Sequence, residues 1–136
     1  MDRSQGLGVT ELKETIILDY PPDAHYNPAV RAGDFIYTCG YVGLEDKSGR
    51  ELTTIEGQTR AVMEELRKTL KAAGATMDDI VKATVYLTDA DDYEKMNEVY
   101  MSFFNGPAPA RTTVVVKLVL DKILVEIEAV AYKPRA

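Results

Sequence analysis

The chain has 136 residues, of which 46% are hydrophobic and 28% are charged, and its formal net charge is −6. This length predicts a single domain with a full core, and an acidic chain without any basic run argues against a nucleic-acid partner. The lone cysteine, Cys39, excludes an internal disulfide, and no apolar run is long enough for a membrane span or a secretory signal. We therefore expect a cytoplasmic protein with no membrane partner.

The first forty residues predict a short extension followed by strands and turns. We expect residues 1–13 to form a flexible N-terminal extension and residues 14–133 to form one domain. Strand patterns occur at residues 14–18 and 35–42, with room for a third strand between them. Gly40, inside the second run, predicts a bulge or a close approach by another group.

The middle of the chain predicts two amphipathic helices on either side of a strand. The first helix begins at Thr54, runs to about Ala73 and is capped by Gly74. Residues 80–87 form the strand, and the second helix spans roughly residues 92–104. The apolar stripes of the two helices comprise Ala61, Val62, Leu66, Thr69, Leu70 and then Met96, Val99, Tyr100, Phe103.

Two further strand patterns, at residues 109–116 and 124–131, end the chain, and we expect them to pair as a hairpin across a turn at Asp121-Lys122. Alternation along the second strand places its small and branched apolar residues on one face and Glu126 on the other. The predicted fold is α+β, a mixed sheet with two helices on one face. The face without helices needs another cover, which predicts an oligomer.

Two charged residues on these last strands are candidates for chemistry. Arg111 is either a clamp for an acidic small molecule or part of an ion pair, which is the commoner role of such an arginine. Glu126 either orients a water and moves a proton, or forms a cross-strand ion pair with Lys117. Glu128 is the rival for any role given to Glu126.

The remaining reactive side chains give little indication of a catalytic or metal-binding site. Cys39 would need a base to become a thiolate, and His25 is the only histidine, so we interpret Cys39 as a structural residue. No metal-ligand spacing and no phosphate-binding loop occurs in the sequence. Tyr26 either stacks on a ligand or plugs the end of the sheet.

Several blocks of the sequence together resemble the Rid/YjgF family of reactive-intermediate (imine/enamine) deaminases. The Pro-Ala-Arg and Glu-Ile-Glu-Ala blocks are its more specific elements. The matching segments are Tyr26-x-Pro-Ala-Val, Ala-Gly-Asp before Ile-Tyr-Thr-Cys-Gly, residues 58–74, residues 81–89 with 96–100, Pro109-Ala110-Arg111-Thr112, and residues 125–131.

The resemblance implies a chorismate-mutase-like α+β fold assembled as a barrel-like homotrimer with clefts between subunits. It also implies hydrolysis of 2-iminobutanoate and 2-iminopropanoate to 2-oxo acids and ammonia, without a cofactor or a metal. By the same resemblance, Arg111 would bind the substrate carboxylate and Glu126 would position the attacking water. The residues that it assigns to the pocket or its surroundings are Tyr26, Gly40, Thr113 and Asn97.

This sequence also departs from the family pattern. Cys39 stands where serine is common, Tyr41 where glutamine is common, and Thr113 where cysteine is frequent. Because Tyr41 and Thr113 could reshape the pocket, a larger enamine acid such as aminomuconate is an alternative substrate. A non-catalytic protein that binds small carboxylates is another alternative. A nuclease or chaperone-like role, proposed for some relatives, is a third, and the net charge argues against the nuclease.

Overall fold

The computed structural model describes residues 13–16, 18 and 24–135. Residues 1–12 of the predicted flexible extension lie outside the described residues, whereas Lys13 begins the first strand. The strands are β1 (Lys13–Ile16), β2 (Ala29–Ala32), β3 (Phe35–Thr38), β4 (Ile80–Leu87), β5 (Ala110–Val115) and β6 (Val125–Tyr132), and the helices are α1 (Ile55–Ala72) and α2 (Tyr93–Met101). Among these residues, no helix is both long and apolar enough to cross a bilayer.

The strands form one mixed sheet in the order β1-β2-β3-β6-β4-β5. All neighbouring strands are antiparallel except β4 and β5, which are parallel. Parallel neighbours need a crossover, and α2 provides it between β4 and β5. The predicted α+β architecture is therefore confirmed, and β5 lies at an edge of the sheet.

The predicted hairpin between the last two strands is wrong. β5 pairs with β4, whereas β6 lies between β3 and β4. The predicted opposition of Lys117 and Glu126 fails for the same reason. Period-two alternation fixes which face a side chain occupies, but it does not fix which strand is the neighbour.

Both helices pack on one face of the sheet, as predicted. Val62, Leu66 and Leu70 of α1 are buried in one cluster with Met96 of α2. The sheet contributes the inward-facing side chains of β4 and β6 to this cluster: Ala83, Val85, Leu87, Val125, Ile127, Ala129 and Ala131. The other face, which we call the open face, carries the alternate residues of the same strands.

The ends of α1 follow from local side-chain chemistry. The Thr54 hydroxyl accepts a hydrogen bond from the amide of Gly57 (3.0 Å), which caps the first turn. At the other end Gly74 has a φ of 84°, a conformation that glycine adopts without steric cost. The predicted helix limits are thus confirmed to within one residue.

Gln58 on α1 ties two loops to the start of β6. Its side chain is 1% exposed, and its Nε2 donates to the carbonyls of Leu52 (3.0 Å) and Lys122 (2.9 Å). Its Oε1 accepts from the amide of Leu124 (2.9 Å). A fully satisfied buried amide fixes its partners in place, so Gln58 sets where β6 and its glutamates begin.

Candidate functional site

Arg111 lies near the beginning of the edge strand, on the helix side of the sheet. It pairs in register with Ala83, which is 2% exposed and faces the core. Its guanidinium carbon is 4.8 Å from the ring centre of Tyr100 and 5.7 Å from that of Tyr93. Nη2 also donates to the Tyr93 hydroxyl over 3.4 Å. Within the described residues, Arg111 forms no ion pair with a carboxylate.

Thr113 and Asn97 lie on the same side of the sheet as Arg111. Thr113 follows Arg111 by two residues and pairs with the buried Val85. Asn97 occupies the α2 face that also carries Tyr93 and Tyr100, because positions four and three apart align on a helix. Its buried Oδ1 has no hydrogen-bond partner among the described residues. The structure thus groups three of the predicted residues, Arg111, Thr113 and Asn97.

Glu126 lies on the open face, directly beside the backbone of Gly40. A Cβ atom added to Gly40 would lie 2.2 Å from Glu126 Oε2. The expected bulge is present here, since four steps from Tyr37 to Tyr41 face only three steps from Ile127 to Val130. The bulge and the missing side chain together leave the space that the carboxylate occupies.

The environment of Glu126 shifts the pKa of its carboxyl group upward. Burial, and then the nearby negative charge of Glu128, raise the pKa of Glu126 above its ordinary value. Glu128 itself accepts a hydrogen bond from the hydroxyl of Tyr86 (2.8 Å). Glu128, the rival for the catalytic role, is thus engaged by Tyr86, whereas no described side chain donates to Glu126.

Tyr26 lies near the same bulge. The carbonyl of Pro28 accepts from the amide of Cys39 (2.8 Å), so the segment that follows Tyr26 runs beside Cys39 and Gly40. The Tyr26 side chain is 59% exposed. The two roles considered for Tyr26, stacking on a ligand or plugging the end of the sheet, both stay predictions.

The predicted residues therefore form two groups on opposite faces of the sheet. Arg111, Thr113 and Asn97 lie on the helix side of the edge strand, whereas Glu126 and Gly40 lie on the open face, two strands away. Successive side chains along a strand point to opposite faces of the sheet, so the backbone layer lies between the two groups. Arg111 and Glu126 of one chain therefore point away from each other, to opposite sides of the sheet.

Tyr41 does not line either group, contrary to the expectation that it reshapes the pocket. It is 7% exposed, and its hydroxyl is hydrogen-bonded to that of Thr69 on α1. Burial raises its pKa to about 12. The neighbouring Cys39 packs against the core cluster, which agrees with its interpretation as a structural residue.

A cavity of 720 Å³ lies elsewhere, between the loop at residues 42–47 and the first half of α1. Its walls carry charges of both signs, including Arg60, Glu64 and Lys122. None of the predicted site residues lines it. Volume alone does not identify a site, and this cavity lacks the convergent buried polar groups that a small-molecule site needs.

Sequence reasoning missed Tyr93 and the contact of Tyr100 with Arg111. Tyr100 was predicted only as part of an apolar stripe. The available signal was two aromatic residues, seven positions apart on one helix face, in the crossover that leads to the arginine-bearing strand. That signal becomes informative only when β4 and β5 are recognised as parallel neighbours.

Comparisons with known proteins agree with this fold. The model of the family described as Endoribonuclease L-PSP matches residues 18–133. A RutC family protein of Pyrococcus horikoshii is 40% identical over 125 residues, which are 90% of this chain and 99% of the relative. The Mus musculus protein named 2-iminobutanoate/2-iminopropanoate deaminase is 36% identical over 107 residues, which are 78% of this chain and 79% of that protein.

Among solved structures, E. coli TdcF with bound serine is similar to this fold with a TM-score of 0.79 and 30% sequence identity. The match covers 88% of this chain and 98% of that chain. The chain therefore belongs to the endoribonuclease L-PSP family, which is the Rid/YjgF family that its motifs resemble.

Proposed function

We propose that this protein hydrolyses short 2-imino acids and their enamine tautomers, such as 2-aminoacrylate, 2-iminopropanoate and 2-iminobutanoate, to 2-oxo acids and ammonia. The family and the name of the mouse relative support this activity. The observation that carries it is the state of Arg111, whose charged fork meets two aromatic rings and no acidic side chain among the described residues. Such a fork can accept a substrate carboxylate in two parallel hydrogen bonds.

The chemistry needs only an anchor and one oriented water. With the acid held on Arg111, the Glu126 carboxylate takes a proton from water while the oxygen attacks the electrophilic carbon of the protonated imine. Glu126 then returns its proton to the carbinolamine nitrogen, and the C–N bond breaks to release ammonia. The hydroxyl proton passes to the regenerated Glu126 carboxylate and on to solvent, which leaves the 2-oxo acid. A raised pKa suits a carboxylate that must accept a proton and return it.

Because the two groups of residues lie on opposite faces of the sheet, we infer that a complete site takes residues from two copies of the chain. We propose a homotrimer in which Arg111 of one copy faces Glu126 of a neighbouring copy across a cleft. Aromatic side chains on the open face support an interface there, since Phe35, Tyr37 and Tyr132 are 39%, 49% and 46% exposed. A sheet face of this kind is stabilised when a second copy covers it.

The pocket favours small acids over large ones. Two departures from the family pattern suggested a larger substrate. Tyr41 is buried in the core, so Thr113 is the one of these two residues that lies on the same side of β5 as Arg111. A bound serine in the similar TdcF structure supports a ligand of about that size. The cytoplasm, which the single cysteine predicted, is our expected location for this activity.

The test generates 2-aminoacrylate with a serine or threonine dehydratase and follows 2-oxo-acid release with and without this protein. Wild type should accelerate release. Arg111→Lys, which keeps the charge but loses the fork, and Glu126→Gln, which cannot take the water proton, should both return the rate to background.

A melting curve with 2-oxobutanoate separates the enzyme from the non-catalytic alternative. The acid should raise the melting temperature of wild type and of Glu126→Gln, but not that of Arg111→Lys. Stabilisation of wild type without any turnover would favour a carboxylate-binding protein. Absence of both effects would contradict the proposed function.

A further inference from the structure

The guanidinium of Arg111 lies against two aromatic rings and forms no ion pair within the described part of the chain, whereas Arg67 and Arg135 each pair with a carboxylate. Arg67 pairs with Glu64 (2.6 Å) and Arg135 pairs with Glu14 (2.8 Å). Arg111 instead lies 4.8 Å from the ring centre of Tyr100 and 5.7 Å from that of Tyr93. Its immediate surroundings therefore attract a cation without neutralising it.

The crossover from β4 to β5 brings this arrangement about. Tyr93 opens α2 and Tyr100 lies seven residues later, which is about two turns along the same helix face. Arg111 faces the same side of the sheet, since it pairs with the core-facing Ala83. The helix thus places both rings over the beginning of the edge strand.

The two rings differ in depth. Tyr100 is 2% exposed and Tyr93 is 42% exposed, so the first forms the floor under the guanidinium and the second its outer wall. The buried hydroxyl of Tyr100 has no hydrogen-bond partner among the described residues. Tyr100 therefore acts on the Arg111 guanidinium through its ring and not through its hydroxyl.

A ring pair of this kind restricts an arginine while leaving most of its N–H fork available, since Nη2 alone donates here, to the Tyr93 hydroxyl over 3.4 Å. A carboxylate neighbour would also restrict the side chain, but it would occupy the fork in two hydrogen bonds. Long side chains lose considerable rotamer freedom when they bind, and an anchor that is already ordered loses less. Ordering by aromatic rings thus increases affinity for an acid.

We propose that Tyr93 and Tyr100 are positioning residues that hold the Arg111 guanidinium between their rings, so that its fork is ordered before an acid arrives. This inference rests on the proposed function of Arg111 as the anchor for a substrate carboxylate. It adds two residues that act on binding through Arg111 and leave the chemical step alone.

The kinetic test compares variants that keep or remove a ring. Tyr93→Leu should raise the KM for the imine and the Kd for 2-oxobutanoate about three- to tenfold, the range of a partly exposed cation–π contact, with kcat within about twofold. Tyr93→Phe and Tyr100→Phe keep the rings and should leave KM within about twofold of wild type. Met101→Ala, at an exposed position of the same helix, is the control for general damage to α2.

A second readout does not depend on activity. The Nε–Hε resonance of Arg111, assigned by its loss in Arg111→Lys, should show a ring-current shift that Tyr93→Leu changes, because only the Tyr100 ring remains, and that Tyr93→Phe retains. An unchanged resonance in Tyr93→Leu, or an unchanged KM and Kd, overturns the positioning role. If wild type neither turns over imines nor binds 2-oxobutanoate while the resonance responds as described, the proposed function fails and the ring pair stands.

Discussion

Replacing Gly40 by alanine tests whether the bulge exists to make room for Glu126. The added Cβ would lie 2.2 Å from Glu126 Oε2 and 3.0 Å from its Cδ, whereas ordinary van der Waals contact begins at 3.4 Å. The carboxylate oxygen must therefore retreat by about 1.2 Å, a misplacement that costs on the order of 10²-fold in rate. Gly40 does not have a positive φ, so the backbone itself tolerates alanine.

The stability cost of Gly40→Ala should be small, because the clash is with the end of a flexible side chain. An off-rotamer glutamate costs about 0.5–1.5 kcal/mol. The assay is kcat/KM for imine hydrolysis together with urea unfolding, with Gly106→Ala as the matched control, since a Cβ there meets nothing within 4 Å.

In the Glu126→Ala background, the stability cost of Gly40→Ala should vanish. Wild-type kcat/KM in Gly40→Ala, or an undiminished stability cost without Glu126, would refute the reasoning.

Three further predictions remain, of which two concern the charge of Glu126 and one concerns the position of β6. Glu128→Gln removes one of the two causes that raise the pKa of Glu126, so the acidic limb of the kcat/KM–pH profile should move to lower pH; an unmoved limb counts against Glu126 as the base. Because the pKa of Glu126 is higher in the folded than in the unfolded state, ionisation of Glu126 destabilises the folded protein as the pH rises above 4.5. Glu126→Gln should therefore unfold at a higher temperature than wild type at pH 7, but not below pH 4.5. Thermal melts at both pH values test this. Gln58→Leu leaves three backbone groups without partners and should lower the free energy of unfolding in urea by about 2–4 kcal/mol; a loss under about 0.5 kcal/mol would contradict this.

Local patterns predicted the elements and the faces of this fold. The strand at residues 80–87 is confirmed at both limits. Alternation along β6 separated Glu126 from the core-facing Val125 and Ile127, and the structure agrees. These predictions succeed because they depend on residues that are neighbours along the chain.

Strand order could not be predicted in the same way. The closing hairpin was inferred from adjacency in sequence, although the connection between β5 and β6 runs from residue 116 to residue 124, much longer than a tight turn. The strand–helix–strand pattern of β4, α2 and β5 favours a parallel crossover. Only the pairing of β5 with β4 shows that Arg111 and Glu126 lie on opposite faces of the sheet.

The resemblance to the Rid/YjgF family contributed the assignment of site residues. It assigned Arg111, Glu126 and Asn97 to one site, which residue types alone could not do. It did not indicate the rings of Tyr93 and Tyr100 around the arginine, because those contacts depend on how α2 crosses the edge strand.

Mixing two inactive variants tests most directly whether one site draws residues from two copies. Arg111→Ala and Glu126→Ala should each be inactive alone. After unfolding and refolding together in equal amounts, about one quarter of the sites should combine an intact Arg111 from one copy with an intact Glu126 from another, and activity should return to about that fraction of wild type. A mixture as inactive as its components would place both residues of each working site in one chain and contradict the account.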